Sequence, residues 1–132
     1  MNRVIKYFAS IVGVLLVGIL LVWGLWSVTW QEKKPTINIP AFAQCLADKK
    51  VTMYGAYWCQ HCQNQKALFG DAFKLVPYVE CTENTKLCTE KSIEGFPTWL
   101  VPDGRGGMTK LEGEQTFDEL ARASGCTLIP AK

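Results

Sequence analysis

The chain concentrates its chemistry in Cys59-Gln60-His61-Cys62. This segment follows a short β-rich run, Val51–Tyr54, which ends at Gly55, and it opens a stretch of helical patterning. Two cysteines three apart on a first helical turn can close a disulfide and reopen it. The first of them sits where unpaired backbone N–H groups and the helix dipole favour a thiolate. The thiolate is the attacking species in thiol–disulfide exchange. Cys59 is therefore the candidate nucleophile, and Cys62 the resolving thiol that releases a mixed disulfide. His61 is the only histidine. Its place beside Cys59 suits it to give the thiolate a hydrogen bond or a positive charge. That would stabilise the reduced dithiol and make the disulfide a stronger oxidant. The plainer alternative is an exposed histidine at a helix start with no role.

A second segment, Phe96-Pro97-Thr98, leads into a strand. A trans proline entering an edge strand is one reading. Opposite a redox cysteine pair, a cis proline is expected instead, leaving the Phe96 backbone to pair with an extended substrate segment.

Four cysteines remain. Cys81 ends a strand pattern and Cys88 opens the next helix. A bond between them would close an eight-residue loop, worth roughly 2.5 kcal/mol on chain entropy. The alternative is a second redox pair that relays electrons to or from Cys59 and Cys62. Cys45 and Cys126 pair by elimination only, and either could be a buried free thiol. A zinc site at Cys59, Cys62, Cys81 and Cys88 has an approximate ribbon spacing. Its last gap is too long, and a helix begins where a tight knuckle is needed. No metal is expected.

The elements that must position these residues follow from the pattern. Pro40 opens a helix at its first turn, with Phe42, Cys45 and Leu46 on an apolar face through about Asp48. Val51–Tyr54 is a strand, Cys59 to about Phe69 a helix that Gly70 is able to terminate or kink, Pro77–Cys81 a strand, and Leu87–Ile93 a short helix. Thr98–Val101 and Thr109–Glu112 are strands joined by the glycine-rich turn from Pro102 to Gly107. That turn precedes a strand and not a helix, so a hairpin is expected and a phosphate loop is not. Thr116-Phe117-Asp118-Glu119 is a capping box opening a final helix, with Phe117, Leu120 and Ala121 inward. Helices alternating with strands, then a hairpin and a closing helix, make a small α/β sandwich.

The 132 residues suffice for one small domain. Six cysteines in so short a chain suit an oxidising compartment or a redox enzyme better than an ordinary cytosolic domain. The net charge of +2 is uneven. Residues 1–37 hold Arg3, Lys6, Lys33 and Lys34 against Glu32, and the remainder is slightly acidic. Without a basic excess, the folded part is not expected to bind nucleic acid.

The run Phe8–Trp30 carries no charge. As a helix it would be about 34 Å long, enough to cross a hydrocarbon layer of about 30 Å. Trp23, Trp26 and Trp30 lie toward one end, where amphipathic rings favour the interface. A cleaved signal is the competing reading, but its apolar core is normally about 7–15 residues. The expected organisation is a cytoplasmic 1–7, a transmembrane signal-anchor at 8–30, a tether at 31–39 and a folded domain at 40–132.

Ala56-Tyr57-Trp58-Cys59-Gln60-His61-Cys62, followed by Gly95-Phe96-Pro97-Thr98, resembles the thioredoxin family over about residues 40–126. It resembles more closely the thioredoxin-like domain that accompanies bacterial and plant vitamin K epoxide reductase homologues. The residues that carry this are Phe42-Ala43-Gln44, Met53-Tyr54-Gly55-Ala56, Leu68-Phe69-Gly70, Val76-Pro77-Tyr78-Val79-Glu80-Cys81, Pro97-Thr98-Trp99 and Ala123-Ser124-Gly125. The resemblance implies a four-stranded mixed sheet flanked by helices, here preceded by one transmembrane helix. It implies Trp58, Phe96 and Pro97 as substrate-binding residues, and no cofactor beyond the redox-active Cys59–Cys62 disulfide. In that family the domain carries electrons from folding proteins to the membrane-embedded quinone reductase. Two departures stand out. Gln60 occupies a position that is usually proline. Met53 occupies the position, six before the first cysteine, where typical thioredoxins bury an acid that serves the resolving thiol, so Cys62 must rely on water or another group.

The expected function is that of a membrane-anchored thiol–disulfide oxidoreductase whose domain faces the periplasm or thylakoid lumen. It takes electrons from client protein thiols and is reoxidised by a vitamin K epoxide reductase-type membrane partner, which holds the quinone. The alternatives are an anchored thioredoxin-like reductant, as in cytochrome c maturation, or a binding module whose disulfides are purely structural.

Overall fold

The structure, a computed structural model, describes residues 36–131 and, before them, residues 15–16 and 18–22. The expected membrane span at 8–30 falls mostly outside the described residues, as do residues 1–7 and 31–35. Residues 15–16 and 18–22 are helical and exposed. Among the described residues, no helix is long and apolar enough to cross a membrane.

The chain divides into two units, Met1–Lys34 and Pro35–Lys132. In the second, helix α1 spans Ile39–Asp48, with Pro40 in its first turn and the Asn38 side chain accepting the Ala41 N–H as N-cap. Strand β1 is Thr52–Gly55 and helix α2 is Gln60–Phe69, continued by a 3-10 turn, Gly70–Leu75. Strand β2 is Tyr78–Glu80 and helix α3 is Thr85–Glu90. Strands β3, Thr98–Pro102, and β4, Met108–Glu112, form the hairpin before helix α4, Phe117–Ser124. Helix α3 starts two residues earlier than its apolar pattern suggests, with Asn84 at the N-cap position, and stops at Glu90, after which the chain turns at Ser92 with positive φ.

The sheet order is β2-β1-β3-β4. β1 runs parallel to β2 and antiparallel to β3, and β3 is antiparallel to β4. The mixed pattern follows from connection length. The β1–β2 crossover contains α2, as a parallel pair requires, while the β3–β4 turn is short enough for a hairpin. β-Strand alternation then sorts side chains onto two faces. Met53, Trp99 and Val101 join Phe42, Leu46, Phe69 and Leu120 in the main core, all buried. Tyr54 and Leu100 face the other way, into a smaller cluster with Cys81 and Cys88. Met53 is fully buried, and burying such a side chain contributes about 2 kcal/mol. It pairs with Tyr78 on one side and Trp99 on the other.

The capping box forms in full: the Thr116 side chain accepts the Glu119 N–H, and the Glu119 carboxylate accepts the Thr116 N–H. Gly125 ends α4 with φ 67°, a left-handed cap that suits glycine. The folded unit begins earlier than the expected tether allows. Ile37 bridges Pro130, and the Asn38 N–H donates to the Ile129 carbonyl at 2.8 Å. Residues 36–39 are thus tied into the domain by backbone pairing that no local pattern announces.

Candidate active site

Cys59 is the N-cap of α2 in extended conformation, and its sulfur accepts the Cys62 N–H at 3.3 Å. A cap of this kind aims an unpaired backbone donor and the positive end of the helix dipole at Sγ, and so favours negative charge there. Residues three apart share a helix face, which places Cys62 beneath Cys59. Cys62 is fully buried, whereas Cys59 retains slight exposure. Both are free thiols here. Burial, and then the hydrogen bond with Cys59, push the Cys62 thiol up to about 12. Cys62 is thus held protonated, and Cys59 is the thiol that keeps slight exposure.

The Phe96–Pro97 bond is cis. The Phe96 carbonyl lies 3.5 Å from Cys59 Sγ, which donates to it. Phe96 also packs edge-on against Trp58, with ring centroids 6.0 Å apart. Trp58 and its neighbour Tyr57 are 62% and 69% exposed, so two large rings stand in solvent beside the reactive thiol. The Phe96 carbonyl is therefore engaged by Cys59 in the dithiol form and not free.

His61 pairs with Glu114 and not with the Cys59 sulfur. Positions i and i+2 on a helix do not face each other, and the ring turns outward, where Nδ1 donates to Glu114 at 2.7 Å. Glu114 also accepts from Asn64. These two hydrogen bonds, the one to His61 first, hold the exposed Glu114 carboxyl below its ordinary range. The hydrogen-bond partners of the Cys59 sulfur are the Cys62 N–H and the Phe96 carbonyl.

The other four cysteines are bonded. Cys81 pairs with Cys88 and Cys45 with Cys126, with Cα atoms 5.8 and 6.0 Å apart. The zinc-like spacing gathers no ligand set, since Cys81 and Cys88 hold each other. Among the described residues, no three His, Cys, Asp or Glu side chains cluster.

Three residues around the pair make contacts that no local sequence pattern announces. Gln65, buried one turn after Cys62, bridges to the strand–helix loop: its Nε2 donates to the Gln115 carbonyl and its Oε1 accepts the Gln115 N–H. Tyr78 and Glu80, two apart on β2 and so on one face, are joined by a 2.6 Å hydrogen bond from the Tyr78 hydroxyl. Glu80 Oε1 accepts the Tyr57 N–H and both donors of Thr82. Burial raises the Glu80 carboxyl, but the hydrogen bonds from Tyr78, Thr82 and Tyr57 outweigh it and leave the group below its ordinary range.

Residues 35–124 match the thioredoxin family model. The chain is 41% identical over 100 residues to the thiol-disulfide oxidoreductase LTO1 of Arabidopsis thaliana, covering 69% of this chain and 25% of that protein. It is 30% identical over 106 residues to the putative protein disulfide-isomerase C1F5.02 of Schizosaccharomyces pombe, covering 73% of this chain and 21% of that one. The chain thus spans a quarter or less of the length of these curated relatives. Among solved structures, chloroplastic thioredoxin z is similar at 18% identity and a TM-score of 0.49, covering 61% of this chain and 81% of that one. With a capped Cys-x-x-Cys helix, a cis proline against it, a mixed four-stranded sheet and a family match over most of its length, the chain belongs to the thioredoxin family.

Proposed function

We propose that the chain is a membrane-anchored thiol–disulfide oxidoreductase acting on cysteine-bearing client proteins. The observation that carries this reading is the asymmetry of the two free thiols. Cys59 caps its helix and keeps slight exposure beside cis-Pro97, Cys62 is fully buried beneath it, and the remaining four cysteines are bonded in pairs. In the forward direction a client thiolate attacks Cys59 Sγ of the Cys59–Cys62 disulfide. The S–S bond breaks, and Cys62 leaves with the electron pair and takes up a proton. A second client thiolate attacks the client sulfur of the mixed disulfide and releases Cys59. Two electrons have then passed from the client pair to Cys59 and Cys62. A disulfide carries no S–H, so the Phe96 carbonyl is released when Cys59 is oxidised and can pair with an extended client segment. Trp58, Phe96 and Pro97 would line that contact.

The resemblance to domains that accompany vitamin K epoxide reductase homologues supports a reoxidising membrane partner of that type, with the quinone bound there. The uncharged run Phe8–Trp30 supports anchoring, with the domain in the periplasm or thylakoid lumen.

Trapping tests the proposal. The full chain carrying Cys62→Ser, expressed in membranes, should accumulate mixed disulfides through Cys59 with soluble clients and with one integral membrane protein. Recovery of background thiols alone would sink it. A client trapped only when it enters as a disulfide would reverse the electron flow.

A further inference from the structure

In either direction of exchange, a proton must move at the Cys62 sulfur. Cys62 is fully buried, and Met53, six residues before Cys59, is apolar and also buried. The groups facing Cys62 can be read from each element packed on it. From α2 and its cap come Cys59 and Lys66, from β2 comes Tyr78, with Glu80 behind it, and β1 contributes Met53 and Gly55, neither of which titrates.

Gly55 shows how close β2 comes. A Cβ placed on it would lie 2.9 Å from Cys62 Sγ and 3.2 Å from the Tyr78 hydroxyl. The two atoms therefore lie on one side of Gly55, within about 6 Å of each other, and a side chain at 55 would crowd both. On the far side, Tyr78 donates to Glu80 Oε2 at 2.6 Å. Glu80 is half-buried, reaches solvent, and is held in place by the Tyr57 N–H of the loop that leads into Cys59. Lys66 Nζ lies 3.7 Å over the Tyr78 ring and fixes it from the α2 side.

We propose that Tyr78 and Glu80 form the proton path of Cys62, taking the place of the buried acid that this chain lacks. When Cys62 attacks a mixed disulfide on Cys59, the Cys62–Cys59 bond forms and the partner thiolate leaves. The Cys62 proton passes to the Tyr78 oxygen as the Tyr78 proton passes to the Glu80 carboxylate, and then to water. In the opposite direction, Glu80 and Tyr78 return a proton to the departing Cys62 thiolate. Glu80 acts through Tyr78 and is a positioning residue. The inference rests on the reading of Cys59 and Cys62 as the exchanging pair.

A chromophoric aryl disulfide separates the steps in the reduced full chain. The first aryl thiolate released reports attack by Cys59, and the second reports ring closure by Cys62. Both are followed by stopped-flow absorbance from pH 5.5 to 9. Tyr78→Phe keeps the ring and its Lys66 contact. It should slow the second release at pH 6.5 by at least about tenfold, leave the first unchanged, and lose its deficit as pH rises. Glu80→Gln, which keeps the side-chain shape, should change the second phase in the same sense. Second-phase rates within twofold of wild type at every pH would overturn the path. So would equal slowing of both phases at every pH, which marks a merely structural role. A wild-type chain whose first phase is no faster than an ordinary thiol, or which shows no second phase, would instead refute the exchanging pair, and the path with it.

Discussion

At the scale of single residues, the two thiols of the Cys-x-x-Cys pair are made unequal by what surrounds each sulfur. A backbone N–H points at Cys59, whereas Cys62 has lost its water and hydrogen-bonds to its partner. The pH consequence follows from linkage. Folding raises the Cys62 thiol from its ordinary 9.0 to about 12. Its contribution to stability is therefore complete below pH 9 and is lost as pH climbs toward 12. The reduced chain should accordingly lose denaturant resistance more steeply between pH 8 and 10.5 than reduced Cys62→Ser does. Tyr54 and Tyr78, both also raised by burial, are common to the two proteins. Parallel pH curves for the two would contradict the assignment. His61 carries the opposite lesson. Adjacency in sequence put it beside Cys59, but helix geometry turns it toward Glu114.

At the scale of elements, α2 is steadied by the loop between β4 and α4. Glu114 accepts from His61 and Asn64, and Gln115 makes both of its backbone hydrogen bonds to the buried Gln65. A buried amide that satisfies a loop in this way is costly to remove, because the loop groups lose their partners while staying out of water. Gln65→Leu should destabilise the chain by about 2 kcal/mol in urea unfolding. A loss below about 0.5 kcal/mol would mean the loop finds other partners. The exposed turns are locally encoded by comparison. Thr116 and Glu119 set the start of α4, and Gly125 sets its end.

At the scale of the whole folded unit, the two structural disulfides do different work. Cys81–Cys88 joins residues 7 apart, and Cys45–Cys126 joins residues 81 apart. The second ties α1 to the segment after α4, close to the pairing of Ile37 with Pro130. Loop-closure entropy grows with the logarithm of loop length, so the long bridge constrains the unfolded chain more. Replacing Cys45 and Cys126 together by alanine should cost about 4.5 kcal/mol, against about 2.5 kcal/mol for Cys81 and Cys88. Chemical denaturation of the two double variants would compare them directly. Equal losses would point to strain or residual structure, and not loop entropy, as the controlling factor.

What is local is written in the sequence. The thiol spacing, the helix that Cys59 opens, the capping box at Thr116 and the alternation that makes an α/β sheet each depend on residues close together in the chain. Each is governed by short-range geometry and unpaired backbone groups, so each is legible in the sequence. Tertiary structure decided what depends on distant segments meeting. It bonded Cys45 to Cys126 where counting gave only elimination, and tied residues 36–39 into the domain. It brought Gln65 to Gln115 and set Tyr78, with Glu80 bonded to it, near Cys62 at Gly55. Those partners come from different elements, and only packing of the sheet against α2 fixes which side chains share a space.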